Sequence, residues 1–209
     1  MADLTIKELN SAETIVKGSR FIGTIIPVES EEETTIHLEK VRKEHQKANH
    51  NCFAYVIGPD DSIARCSDDG EPSQTAGVPI LSVIQKEHLH DVLIVVTRYF
   101  GGTKLGTGGL IRAYSGAAAT TIHQSQIVDR IVHQVFRLTF DYSYIDPFSH
   151  FLQRHPSLYT LNQDYLEQVT YQMSTPLTLY QDNLQKIIEF FNDNVKIVPI
   201  KKETIATPV

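Results

Sequence analysis

The chain has 209 residues, 41% of them apolar, with a formal net charge of −6. That is enough apolar material for one large domain or two small ones and excludes a disordered chain. The acidic balance excludes a protein coated in basic charge for nucleic acid, though not a local basic patch. Cys52 and Cys66 lack C-x-x-C spacing, so neither a zinc ribbon nor a disulfide scaffold is expected. No stretch reaches the roughly 20 apolar residues that span a bilayer, and the N-terminus lacks a basic-then-apolar leader. A soluble, reduced, cytoplasmic protein is expected, with no membrane partner.

In chain order, Val16 to Pro27 reads as one strand. Ser30 with Glu33 three residues later predicts a capped helix with Thr34, Leu38, Val41 and His45 on one face. Asn51–Gly58 and Ser62–Ser67 read as strands joined by Pro59-Asp60-Asp61. Turn chemistry at Asp68-Asp69-Gly70-Glu71-Pro72 leads into a short helix with Ile80, Val83 and Ile84 inward and Pro79 in its first turn. The apolar run Asp91–Phe100 predicts a central strand. A glycine-rich turn follows, then a helix with Leu110, Ile111, Tyr114, Ala118 and Ile122 at helical spacing.

Beyond Gln126 the pattern reads strand, helix, strand, strand, helix, strand. Phe136, Leu138, Phe140 and Tyr142 alternate; Asp146-Pro147 starts a helix, and Pro176 opens a second. Val195–Ile200 closes the unit and the tail KKETIATPV is read as loose. That order is the ferredoxin-like βαββαβ unit. The expected organisation is α+β, with a β–α domain at 1–126 and a ferredoxin-like domain at 127–209.

Several motifs could carry chemistry. A strand, glycine turn and helix expose backbone N–H groups at a helix N-terminus, which suits an anion. The candidates for phosphate or nucleic-acid contact are Gly101, Gly102, Gly106, Gly108 and Gly109, with Lys17, Arg20, Arg98, Lys104 and Arg112 around them. The P-loop and dinucleotide fingerprints do not fit, because Thr107-Gly108 follows Gly106 and Ile111 stands where a glycine is required. Asp68, Asp69 and Glu71 read either as ligands for a hard cation or as a solvated turn. His50 and Cys52 would share a strand face, which suggests either an activated thiol or a buried small hydrophobe. No catalytic residue, metal or cofactor is assigned.

The stretch from Gly77 to Gly106, GVPILSVIQKEHLHDVLIVVTRYFGGTKLG, resembles the signature of the IMPACT family. Gly77, Ile80-Leu81, Val95-Val96, Arg98-Tyr99-Phe100-Gly101-Gly102, Leu105 and Gly106 carry the resemblance, with Asp69-Gly70-Glu71-Pro72 and Asn51-Cys52 in support. The resemblance implies an N-terminal fold first named for the second domain of a small-subunit ribosomal protein. Elongation factor G and the GHMP small-molecule kinases share that fold. It also implies a C-terminal domain like the ferredoxin-like domains of elongation factor G. Eukaryotic members regulate translation, binding the activator of a starvation-sensing kinase through an extra N-terminal domain. The first strand is read as starting within twenty residues, so that partner is not carried over. The function expected is a non-enzymatic, translation-associated regulator that contacts RNA or the ribosome. Two alternatives stay open. One is a phosphate- or nucleotide-binding enzyme, with Lys104 on phosphate and Asp68 or Asp69 on Mg²⁺; the other is a regulator with a protein partner.

Overall fold

The computed structural model describes residues 3–58 and 60–209; Pro59 of the expected Pro-Asp-Asp turn lies outside the described residues. In chain order the elements are β1 (Leu4–Ile6), β2 (Asn10–Val16), β3 (Ser19–Pro27), α1 (Glu31–Glu44), β4 (His50–Ile57), β5 (Ile63–Ser67), α2 (Gly77–Lys86), β6 (Val92–Tyr99) and α3 (Thr107–His123). They continue with β7 (Ile127–Phe140), α4 (Ile145–Gln153), β8 (Tyr159–Tyr165), β9 (Val169–Pro176), α5 (Tyr180–Phe191) and β10 (Lys196–Pro208). The chain divides into two compact units, residues 1–129 with 207–209, and residues 130–206.

The first unit is built on an antiparallel sheet ordered β2-β3-β6-β4-β5. The apolar run of β6 occupies its centre because both faces are covered. Val92, Ile94 and Val96 join Ile80 and Ile84 of α2 and Leu110, Tyr114, Ala118 and Ile122 of α3 in one core. Leu93 and Val95 point the other way, to Leu38 and Val41 of α1. Ile111, expected on the buried stripe of α3, is instead exposed. Ser30 caps α1 by accepting from the Glu33 N–H at 3.2 Å, and the Glu33 carboxylate accepts from the Glu29 N–H at 2.8 Å.

The single strand expected over Val16–Pro27 is a hairpin. Val16 pairs with Ser19 across Lys17 and Gly18, both with positive φ (47° and 82°), as a tight two-residue hairpin turn requires. Strand β2 escapes sequence reading because its residues, NSAETIV, mix polar and apolar types at the sheet edge and only Ala12 is buried.

The second unit has sheet order β10-β7-β9-β8, with α4 and α5 supplying its core. Together with the element order this is the ferredoxin-like arrangement. Phe136, Leu138 and Phe140 are buried as expected, whereas Tyr142 has left the strand for a 3₁₀ turn and is exposed. That turn also moves the cap: Asp141 accepts from the Ser143 N–H at 2.9 Å, and Asp146-Pro147 fall inside the first turn of α4. Phe148 anchors the core, with ring centroids 5.3 Å from Phe140 and 5.1 Å from Phe191. The tail expected to be loose is the greater part of β10. It pairs with β7, whose edge would otherwise carry unpaired backbone groups; Gln134 Nε2 donates to the Lys201 carbonyl at 3.0 Å.

A close approach shapes the glycine turn. A Cβ on Gly101 would lie 2.0 Å from both the carbonyl carbon and oxygen of Gly18, and backbone cannot move aside as a side chain would. Gly116, by contrast, sits in α3 with open space around it. Gly101→Ala is expected to destabilise the protein by about 3 kcal/mol or more. Gly116→Ala should stabilise it by up to ~1 kcal/mol. Chemical denaturation of both variants checks the pair; equal effects would contradict the close-contact reading.

Candidate functional site

Strand register places Arg98 between Phe21 on β3 and His50 on β4. The Arg98 side chain therefore lies on the sheet face that α2 and α3 cover, and the residue is only 6% exposed. Its guanidinium sits between the Phe21 and Phe100 rings, 5.5 Å from each centroid. Nη1 donates to Glu71 Oε1 at 2.5 Å. The buried Tyr114 hydroxyl donates to the same oxygen at 2.8 Å. Arg98 Nε has no partner.

His50 closes this group. The Asp69 carbonyl can only accept, so the 2.8 Å contact fixes His50 Nδ1 as the protonated donor. Nε2 is thereby left on the Glu71 side, 3.9 Å from Oε1. Burial, then the neighbouring Cys52 and Glu71, pushes the Tyr114 hydroxyl far above its ordinary range, so it remains a donor. Cys52 is fully buried and its thiol, raised to about 12 chiefly by burial, donates to the Asp68 carbonyl at 2.9 Å. A thiol so placed is not a nucleophile at neutral pH.

The acidic turn is committed to the protein. Ala76 begins α2 without a capping side chain. Asp68, far upstream, replaces it by accepting from the N–H groups of Gln74 (2.8 Å), Ala76 (3.0 Å) and Gly77 (2.8 Å). Asp69 accepts from the Asn51 N–H at 2.6 Å and meets Arg42 at 3.4 Å. With Glu71 on Arg98, each of the three carboxylates has protein donors. Among the described residues no cluster of His, Cys, Asp and Glu is arranged for a metal ion. Asp68 and Asp69 thus each hold backbone N–H groups of the fold.

Arg98 and Glu71 line a cleft of about 460 Å³ together with His50, Phe100, Lys104 and Gly106-Thr107 at the start of α3. Gly106 has φ 72° and provides no capping side chain. The first bond into the helix is Leu110 N–H to the Gly106 carbonyl, so the three preceding N–H groups have no helical acceptor. Lys17, Gly109 and Arg112 line a separate cleft of about 240 Å³ on the other side of Leu105. Arg20 belongs to neither; it pairs with Glu13 at 2.9 Å. Gly101 holds the hairpin contact described above, while Gly102 and Gly108 are exposed and line neither cleft. The expected basic group is therefore divided into two parts. Glu71 is one of the carboxylates the sequence leaves open to pairing with these cations; sequence reading did not gather His50 and Phe100 into the group, because the register of β4 and β6 brings His50 there.

An acid-free helix terminus, cationic side chains and an exposed aromatic ring thus line one cleft of a β–α domain. Residues 17–122 match the Impact N-terminal domain. The Bacillus subtilis IMPACT family member YvyE is 45% identical over 141 residues, 68% of this chain and 65% of that protein. Escherichia coli YigZ is 31% identical over 189 residues, 90% of this chain and 92% of that one. A crystal structure described as a hypothetical protein covers 97% of this chain and 100% of its own, at 28% identity and a TM-score of 0.59. The chain belongs to the IMPACT family. Its match spans just under two thirds of the B. subtilis relative's length.

Two outcomes follow from this geometry. Glu71→Ala leaves the Arg98 guanidinium buried without its counter-charge and should cost roughly 3–5 kcal/mol. Replacing both residues by apolar ones of similar size should restore most of that in urea unfolding. Burial raises the Asp68 carboxyl, but its backbone donors outweigh this and hold it below its ordinary value of 3.8. The folded value is the depressed one, so the contribution is present above the ordinary value and is lost as pH falls through the folded one. Stability measured from pH 7 downward should therefore favour wild type over Asp68→Asn near neutrality, with the gap closing below about pH 4. A gap independent of pH would contradict the cap.

Proposed function

We propose that this chain is a binding module of translation regulation that contacts RNA phosphates through the start of α3 and its flanking cations. The uncapped α3 N-terminus, facing the same cleft as Lys104 and Arg98, carries the reading. Backbone N–H groups at a helix start favour a negative ligand, and the helix dipole adds to the attraction. Lys17, Lys104 and Arg112 are exposed and available for phosphate. The link to translation comes from the family, whose eukaryotic members regulate it. The RNA or the ribosome would be the partner and the module would act by binding, without a resident cofactor.

With three available cations the affinity for single-stranded RNA should fall about a hundredfold per tenfold rise in salt. Purified protein should co-sediment with ribosomes or bulk RNA at low salt and release at high salt. The folded Lys104→Glu, Arg112→Glu variant should remain in the supernatant at both salts. Equal sedimentation of wild type and variant would remove the α3 surface from the interaction. Absence of wild-type sedimentation would remove the reading itself.

A further inference from the structure

We infer that the 460 Å³ cleft selects a nucleoside 5′-phosphomonoester, free or at the 5′ end of an RNA, with the phosphate on the α3 N-terminus and the base on Phe100. The inference rests on the RNA-binding reading above and narrows it from phosphates along a strand to one terminal group.

Two independent observations point to an anion in this cleft. The first is the 17-residue helix α3, whose N-cap Gly106 contributes no acceptor, leaving the first-turn N–H groups without helical partners, with Gly106 and Thr107 in the wall of this cleft. The second is Arg98, whose side chain forms part of the cleft wall, is 7% exposed, and holds an Nε donor without any partner. A buried donor without an acceptor is costly, and a site that brings it an acceptor relieves the cost. Lys104 adds an exposed ammonium at the rim.

The donors come from three sides: the helix start, the Lys104 side and the Arg98 wall. A terminal phosphate offers three free oxygens and a charge near −2 to such a set. An internal phosphodiester offers two free oxygens and a single charge, and needs an exit for the chain on both sides. The closed side of the cleft supplies no such exit: Glu71 and Arg98 are both buried there. Glu71 is the one carboxylate in the wall, and its Oε1 is already taken by Arg98 and the Tyr114 hydroxyl. It therefore confines the phosphate to the Gly106-Thr107 side. The volume falls in the ~300–1,000 Å³ range of small-ligand sites, enough for one nucleotide. Phe100 lies at the mouth, 45% exposed, with the Arg98 guanidinium against its ring. An exposed aromatic beside a phosphate site is a stacking platform for a base.

The test is fluorescence anisotropy with a 3′-labelled RNA decamer carrying either a 5′-phosphate or a 5′-hydroxyl, with AMP and adenosine as competitors. The 5′-phosphate form should bind wild type roughly tenfold or more tightly than the hydroxyl form. AMP should compete and adenosine should not. Thr107→Pro removes one N–H at the first helical position, where proline is favoured, so the helix persists while the preference shrinks. Phe100→Ala should weaken both AMP and the phosphorylated RNA several-fold. Circular dichroism confirms that both variants are folded. Equal binding of the two RNAs, with no competition by AMP, overturns the inference and leaves the broader RNA-binding reading standing. If neither RNA binds but AMP raises the melting temperature of wild type and not of Thr107→Pro, the site takes the free nucleotide and the RNA reading falls. If neither RNA nor AMP has an effect, both fall.

Discussion

A guanidinium on the central strand of a sheet, beneath two helices, must be given a counter-charge or it cannot be buried. Arg98 receives Glu71, and much of the N-terminal unit follows from that requirement. Glu71 belongs to the acidic turn, so the turn must fold back over the sheet. Asp68 keeps it there by capping α2, and Asp69 by accepting from the Asn51 N–H of β4. Tyr114 brings α3 to the same carboxylate. One ion pair therefore gathers β6, the 68–77 turn and α3 around a single point. It is weak ground for stability as such, because desolvation offsets much of the attraction. Its consequence is positional: it fixes where α3 begins relative to the sheet.

The backbone contact between Gly18 and Gly101 works with it. The ion pair holds the sheet side of the glycine turn, and the β2–β3 hairpin packs against its outer side at a distance no side chain would permit. The Phe100 N–H donates to Asn49 Oδ1 at 2.8 Å, which ties the turn to the start of β4 as well. A turn held at three points delivers Gly106 to a defined place at the head of α3. The glycines of this segment are therefore divided in purpose. Gly101 serves packing, while Gly106 supplies the left-handed conformation and leaves the helix end bare.

What could be read from the residues depended on how local the physics was. The run at β6 was legible because burial on both faces leaves Val92–Val96 without a polar residue, and the α1 cap because Ser30 and Glu33 are three residues apart. The β2–β3 hairpin was not, since its turn, Lys17-Gly18, begins with a residue that rarely takes positive φ. Strand β10 looked loose because KKETIATP has no buried alternation; the unpaired edge of β7 is what makes it a strand. For the site, the glycine turn and Arg98 stood out in the sequence. The partner of Arg98 lies 27 residues upstream, and His50 meets it only through the register of β4 and β6. A carboxylate in an acidic turn gives no local sign that it will be buried against a cation.

The overall charge of −6 bears on what such a cleft can select. Two of the three carboxylates of the acidic turn next to it are paired, Asp69 with Arg42 and Glu71 with Arg98, so it does not repel a ligand at the α3 terminus as strongly as its composition implies. The net negative charge of the chain repels an anion over about 8–10 Å of solvent at physiological salt. A long polyanion meets that net repulsion as well as the local attraction. A single phosphate reaching into the cleft meets the helix dipole, Lys104 and Arg98 first. The charge distribution thus favours an end or a small molecule over a continuous strand, and it does so through the placement of a few cations rather than their number.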